Sequence, residues 1–178
     1  MAFFSGVSII RYLCLFHLAL AYYFMFSPKT LADQNLVLIV GAAMRLPHID
    51  TLDEPSALSS FLAIVFTLFA VNDLVAVSMP EEVTSFYWDN QTPIRLLFFF
   101  ILTGYTYLTK PGGSGTGAGA YQGMKITAAG PGLQNSLVFS WAFVEMVVWF
   151  WVYVTLREER KESAGRRAQK RAVEENSL

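Results

Sequence analysis

ALSSFLAIVFTLFAVNDLVAVSM, residues 57–79, decides how the chain has to be read. At about 1.5 Å per residue a helix of this length runs to roughly 35 Å, enough to cross a ~30 Å hydrocarbon core. An amide and a carboxylate, Asn72 and Asp73, sit side by side inside it. An ionisable side chain at that depth costs about 2.5–3.5 kcal/mol even on lenient insertion scales, so it has to face a partner or water.

Working outward, three more stretches have the required character: 7–26 (VSIIRYLCLFHLALAYYFMF), 93–110 (PIRLLFFFILTGYTYLTK) and 133–156 (LQNSLVFSWAFVEMVVWFWVYVTL). The first lacks a basic leader and a small-x-small cleavage site and ends in bulky Tyr22, Tyr23, Phe24 and Phe26, so it reads as a retained span rather than a signal peptide. Residues 28–46 read as an interfacial or re-entrant helix, opened by Ser27 and Pro28 and polar in its first half. If that helix crosses, the spans number five rather than four. The fold class is therefore all-α integral membrane: a small bundle of four transmembrane helices, or five, over residues 1–156, followed by a charged helical tail at 157–178.

Composition agrees. Hydrophobic residues make up 54% of the 178, aromatic residues 15% and charged residues 15%, well under the quarter that is usual in soluble domains. Seven of the 13 Lys and Arg lie beyond residue 156. Basic residues next to a span end stay on the cytoplasmic side, which puts the C-terminus in the cytoplasm. The loop 80–92 (PEEVTSFYWDNQT) is then cytoplasmic too, so the sequon Asn90-Gln91-Thr92 stays unglycosylated. The N-terminus is cytoplasmic with four spans and lumenal with five.

Two other stretches carry chemistry-bearing residue types. The loop 111–132 is rich in glycine, but it has neither a GxxxxGK[ST] nor a GxGxxG pattern and reads as a flexible linker. His48, Asp50, Asp53 and Glu54 share a loop with no second His or Cys near and no recognised ligand spacing, so no metal is expected there, and no cofactor elsewhere. One cysteine, Cys14, excludes an internal disulfide framework. With two histidines in all, the chain offers no cluster of nucleophile, base and metal ligand, and an enzyme is not expected.

The candidate site is the set of polar residues inside the spans: Arg11, His17, Asn72, Asp73, Arg95 and Glu145. Asp73 and Arg95 fall near the same membrane face on consecutive antiparallel spans, where a bidentate fork is easily made. Asn72 is expected to bond across helices. Glu145 lies at the middle of the fourth span and His17 near the middle of the first, so the two are expected to pair. Arg11 reaches the cytoplasmic boundary in the four-span arrangement and can snorkel there. Two acids balance two arginines, which favours structural locks over a proton relay. In the tail, Arg166, Arg167, Lys170 and Arg171 suit anionic lipid head groups, but the net charge is only +2, seven basic minus five acidic residues, too little for direct nucleic-acid binding.

AMRLP (43–47), FTLFAVNDL (66–74), PIRLLFFFILTGYTYL (93–108) and FVEMVVWFWVYVTLREER (143–160), in this order, resemble the small fungal membrane-protein family named for increased loss of mitochondrial DNA. The resemblance covers residues 1–160; the glycine-rich loop looks like an insertion and the tail does not match. It implies a multi-pass protein of the endoplasmic reticulum membrane whose loss perturbs mitochondrial DNA maintenance indirectly, without an established catalytic activity. The family supplies no active site to carry over. Two readings follow: a non-enzymatic scaffold or accessory subunit partnering the lipid bilayer and another membrane protein, or a small ion or proton transporter using His17 and Glu145.

Overall fold

The structure is a computed structural model, and it describes residues 5–48, 52–109 and 133–175. The described residues are helical throughout their regular structure, in the order α1 (Gly6–Phe26), α2 (Pro28–Ala32), α3 (Asn35–Met44), α4 (Ala57–Val77), α5 (Glu81–Leu108) and α6 (Ser136–Glu175). Among the described residues three helices are long and apolar enough to cross a membrane: α1, α4 and α6 over Ser136–Arg166. In α5 the polar first half and Arg95 dilute the apolar run. The glycine-rich loop 111–132 lies outside the described residues.

Each long helix buries one stripe with helical spacing. On α1 it runs Ile10, Cys14, His17, Ala21, Phe24; on α6 it runs Ala142, Glu145, Trp149, Val152, Leu156. The α4 stripe is made of small residues, Ser59, Ala63, Ala70, Asp73 and Ala76, which lets α1 approach closely. α4 begins with a reciprocal capping box in which Ser56 Oγ accepts from Ser59 N and Ser59 Oγ from Ser56 N. α1 packs on α4 and α5 on α6, whereas α4 and α5 touch each other sparsely.

Two expectations change. The segment 80–92 is not a loop: α5 starts at Glu81 and runs through Pro93, so the connection to α4 shrinks to Ser78–Pro80. Thr84, Trp88 and Thr92 are buried at four-residue intervals, and Thr84 Oγ1 donates to the carbonyls of Ala76 and Met79, which closes the hairpin. Packing of that stripe outweighs the break normally caused by Pro93, whose ring crowds the Asp89 carbonyl and leaves it without its helical donor. The segment 28–46 is not one helix but two, broken at Asp33 and Gln34. At ten residues α3 is about 15 Å long and too short to cross. The tail is helical, as expected: α6 continues beyond the apolar run as one helix to Glu175.

α3 closes with Arg45 in the left-handed region at φ 54°, with Leu46 N–H on Gly41 O at 2.9 Å and Arg45 N–H on Ala42 O at 3.2 Å. This is a Schellman ending in which Arg occupies the glycine position. The turn brings Pro47 O to Ser136 N–H at 3.0 Å, tying α3 to the first turn of α6. At the opposite end of the bundle, Gly6 N–H donates to Glu159 Oε1 at 2.9 Å, and Arg160 of α6 pairs with Asp89 of α5. The start of α1, the α4–α5 turn and the far end of the apolar part of α6 thus share one end. The four long helices alternate up and down, with α2 and α3 at the other end.

Candidate functional site

The stripes deliver the ionisable residues to one region. Arg95 of α5 grips Asp73 of α4 with both guanidinium nitrogens, Nη1 to Oδ2 at 2.6 Å and Nη2 to Oδ1 at 2.7 Å. The Asp73 side chain is 2% exposed and that of Arg95 17%. This is the two-point geometry that makes Arg–carboxylate pairs strong and directional. The guanidinium also lies 4.8 Å from the Trp149 ring and 5.3 Å from the Trp88 ring. The two indoles are themselves stacked, with centroids 5.8 Å apart. Arg95 is therefore held by a carboxylate and two π faces.

The second pair adjoins the first. His17 Nε2 and Glu145 Oε1 are 2.6 Å apart, and Trp149 Nε1–H donates to Glu145 Oε2 at 3.0 Å. Both oxygens of a fully buried carboxylate are thereby engaged. Trp149 joins the pairs, with its face toward Arg95 and its N–H on Glu145. The result is one constellation, Asp73–Arg95–Trp149–Glu145–His17, drawn from all four long helices. Asp73, Arg95, Glu145 and His17 line a cavity of about 410 Å³ together with Gln91, Ile94 and aromatic side chains.

The other candidates lie elsewhere. Asn72 does not bond across helices: it is exposed on the outer face of α4 and makes no hydrogen bond to any described residue. One residue of helix turns the side chain by about 100°, which carries Asn72 off the stripe that buries Asp73. Arg11 is exposed for the same reason, one position off the Ile10–Cys14 stripe, five residues into α1. Arg166 is exposed, and the side chains of Arg167, Lys170 and Arg171 lie outside the described residues. Of the acidic loop, Asp50 also lies outside them. His48 stands 3.6 Å from Asp33 and Asp53 3.7 Å from Lys29, so these residues face α2 rather than one another. Asn90 lies within α5, its Nδ2 donating to Phe86 O at 2.8 Å.

The tryptophans were not singled out by the sequence reading, although the signal was present. Trp149 follows Glu145 by four residues, and Trp88 precedes Arg95 by seven, so each shares its neighbour's helix face.

Comparison with known proteins now bears on this arrangement. The family model described as increased loss of mitochondrial DNA protein 1 (Ilm1) matches residues 4–166. The chain belongs to this family. The match takes in all four ionisable residues of the constellation and stops within the tail. Among individual relatives, Protein ilm1 of Schizosaccharomyces pombe is 30% identical over 138 residues, 77% of this chain and 71% of that protein. Protein ILM1 of Saccharomyces cerevisiae is 28% identical over 147 residues, 83% of this chain and 62% of that protein. The chain thus spans under two thirds of the second relative's length. No solved structure matches. The Ilm1 name ties the family to mitochondrial DNA maintenance and states no catalytic activity.

Proposed function

We propose that this member of the Ilm1 family is a non-enzymatic, four-span protein of the endoplasmic reticulum membrane that acts as a scaffold or accessory subunit. In this reading α5 also crosses the membrane, between α4 and α6, both ends of the chain are cytoplasmic, and the link to mitochondrial DNA maintenance is indirect. The observation that carries it is the internal neutralisation of the buried charge. Asp73 is taken by Arg95, and Glu145 by His17 and Trp149. Such locks fix which helices meet without leaving a carboxylate oxygen free for chemistry. The proton-relay reading is less favoured, because the partner on Glu145 Oε2, the Trp149 indole N–H, only donates and cannot take a proton onward.

The outer faces support a partner within the membrane. Phe143, Val147, Phe150 and Trp151 of α6 are all exposed and apolar, and Asn72 of α4 is exposed as well. An amide on a lipid-facing surface is best satisfied by another helix, where such a bond adds about 0.6 kcal/mol on average. Purification in mild detergent is expected to bring down one membrane protein in stoichiometric amount, and Asn72→Leu with Phe150→Ala to release it. A monodisperse chain with no co-purifying partner from its native membrane contradicts the scaffold reading.

A further inference from the structure

The length of α6 beyond the bundle is not absorbed by a scaffold role within the membrane. The hydrophobic core ends at Leu156. Among the described residues, the last bonds from α6 to another helix are those of Glu159 to Gly6 and of Arg160 to Asp89. From Lys161 onward the helix runs to Glu175 with Gly165 inside it. Isolated helices of up to about 15 residues are marginal in water, and an interior glycine weakens them further. This segment therefore opens readily to the extended form that a modifying enzyme reads.

Ser163 stands where the packed part gives way to the unpacked part. Its Oγ donates to the Arg160 carbonyl at 2.9 Å, in a bond exposed to solvent. In the whole chain it is the one Ser or Thr with a Lys or Arg three residues before it, and Lys161 adds a second cation. Basic residues at that spacing are a charge pattern by which a broad class of protein kinases selects serine. Ser5, Ser78 and Ser85, at the same end of the bundle, have no basic residue within the six positions before them. Arg160 has a second role, because it is the residue that pairs with Asp89 of α5; its side chain is 62% exposed and that of Asp89 16%. Residues three apart are neighbours on a helix surface. A phosphate on Ser163 would bring roughly −1.5 to −2 charge and three strong acceptor oxygens beside Arg160, against the single charge of Asp89. Arg166, three residues further on and exposed, offers it another cation.

We propose that Ser163 is a phosphorylation site for a kinase that reads Arg160, and that the phosphate draws Arg160 off Asp89 and frees this end of α6 from α5. The γ-phosphoryl group of ATP moves to Ser163. A bond forms between Oγ and phosphorus, the bond to the β-phosphate oxygen breaks, ADP leaves, and the hydroxyl proton goes to the kinase's aspartate base. Access to cytoplasmic ATP and kinase rests on the cytoplasmic C-terminus proposed above, not on the scaffold role.

The test uses the full chain. Purified from its native membranes with phosphatase inhibitors present, it should carry phosphate on Ser163, read by peptide mass spectrometry. In mild detergent, ATP and a kinase selective for arginine three residues before serine should phosphorylate the same residue. Arg160→Gln, at an exposed side chain, should fold and slow that reaction by about tenfold or more, the worth of one charge-assisted hydrogen bond. Phosphorylation should lower the melting temperature of the wild-type chain by roughly 1–4 °C, the share of one ion pair at this size. It should leave Asp89→Asn unmoved, since Arg160 there has no carboxylate to lose. In sealed reticulum vesicles, added kinase and ATP should reach Ser163 from outside. Reaction only after the membrane is breached would overturn the cytoplasmic placement alone, while the phosphate on the native chain still decides the site. No phosphate on Ser163 of the native chain, an undiminished rate in Arg160→Gln, or an equal fall in melting temperature in Asp89→Asn overturns the inference.

Discussion

Replacing Asp73 and Arg95, singly and together, separates an internal lock from two charges that merely lie close. Asp73→Ala leaves the guanidinium buried without its counter-charge. Breaking a buried pair from one side costs about 3–5 kcal/mol. The Trp88 and Trp149 faces remain and offset up to about 2 kcal/mol of this. Because α5 extends fourteen residues above Arg95 and those two indoles flank the guanidinium, retention by the rings replaces snorkelling as the mitigating factor. Arg95→Ala removes the fork and both π contacts and strands a carboxylate whose side chain is 2% exposed, so it should cost more, near the upper end of the range. Asp73→Leu with Arg95→Leu removes both charges and refills part of the volume, and such replacements are often neutral. The double variant should then lie within about 1–2 kcal/mol of wild type, which implies a coupling of at least roughly 2 kcal/mol. Melting followed by tryptophan fluorescence in mild detergent reads this directly. With about 2–4 °C per kcal/mol for a chain of this size, the singles should lose roughly 5–15 °C and the double only a few. If the double variant loses the sum of the singles, the residues are not partners. If it is stable yet fails to complement a null strain, the pair serves function rather than structure.

Glu145→Ala should cost about 2–4 kcal/mol because it leaves His17 Nε2 and Trp149 Nε1 buried without an acceptor, whereas Glu145→Gln should fold and complement almost normally; a folded Glu145→Gln that fails to complement would restore the relay reading. At Gly41 an added Cβ would lie 2.6 Å from Ser136 Cβ, so Gly41→Val should separate α3 from α6 and cost about 1–3 kcal/mol, seen as a lower melting temperature. Arg45→Gly should raise stability by up to about 1 kcal/mol, since glycine adopts the left-handed ending of α3 without the Cβ penalty; no gain would point to an unseen role for the arginine side chain. Asn90 should remain unglycosylated, and a mobility shift on deglycosylating the wild-type chain would refute the assigned orientation.

The four ionisable residues were legible as a set because charge in an apolar span must find a partner. Depth along the span was enough to propose Asp73 with Arg95 and Glu145 with His17. Rotation about the helix was not used, and that is why Asn72 was misplaced: it sits one position off a stripe that the flanking apolar residues already define, whereas Arg11 is exposed near the start of α1, in keeping with a side chain that snorkels. The α5 extension was hidden by its polarity and by Pro93, both of which argue for a loop when read locally. Its helical character shows only in the spacing of Thr84, Trp88 and Thr92, and becomes decisive once α6 offers Trp149 and Leu156 as a surface. The break at Asp33 and Gln34 has no single signal of comparable strength, since neither residue is a strong helix breaker.

The most direct test of the four-span arrangement is the sidedness of three engineered cysteines, Ser5→Cys, Gln34→Cys and Ser163→Cys, probed with a membrane-impermeant maleimide. The native Cys14 is buried, at 1% exposed, and should stay silent. With the plasma membrane opened and the reticulum intact, Cys at 5 and at 163 should both label, and Cys at 34 only after the reticulum membrane is breached. Labelling of positions 5 and 163 from opposite sides would contradict the account.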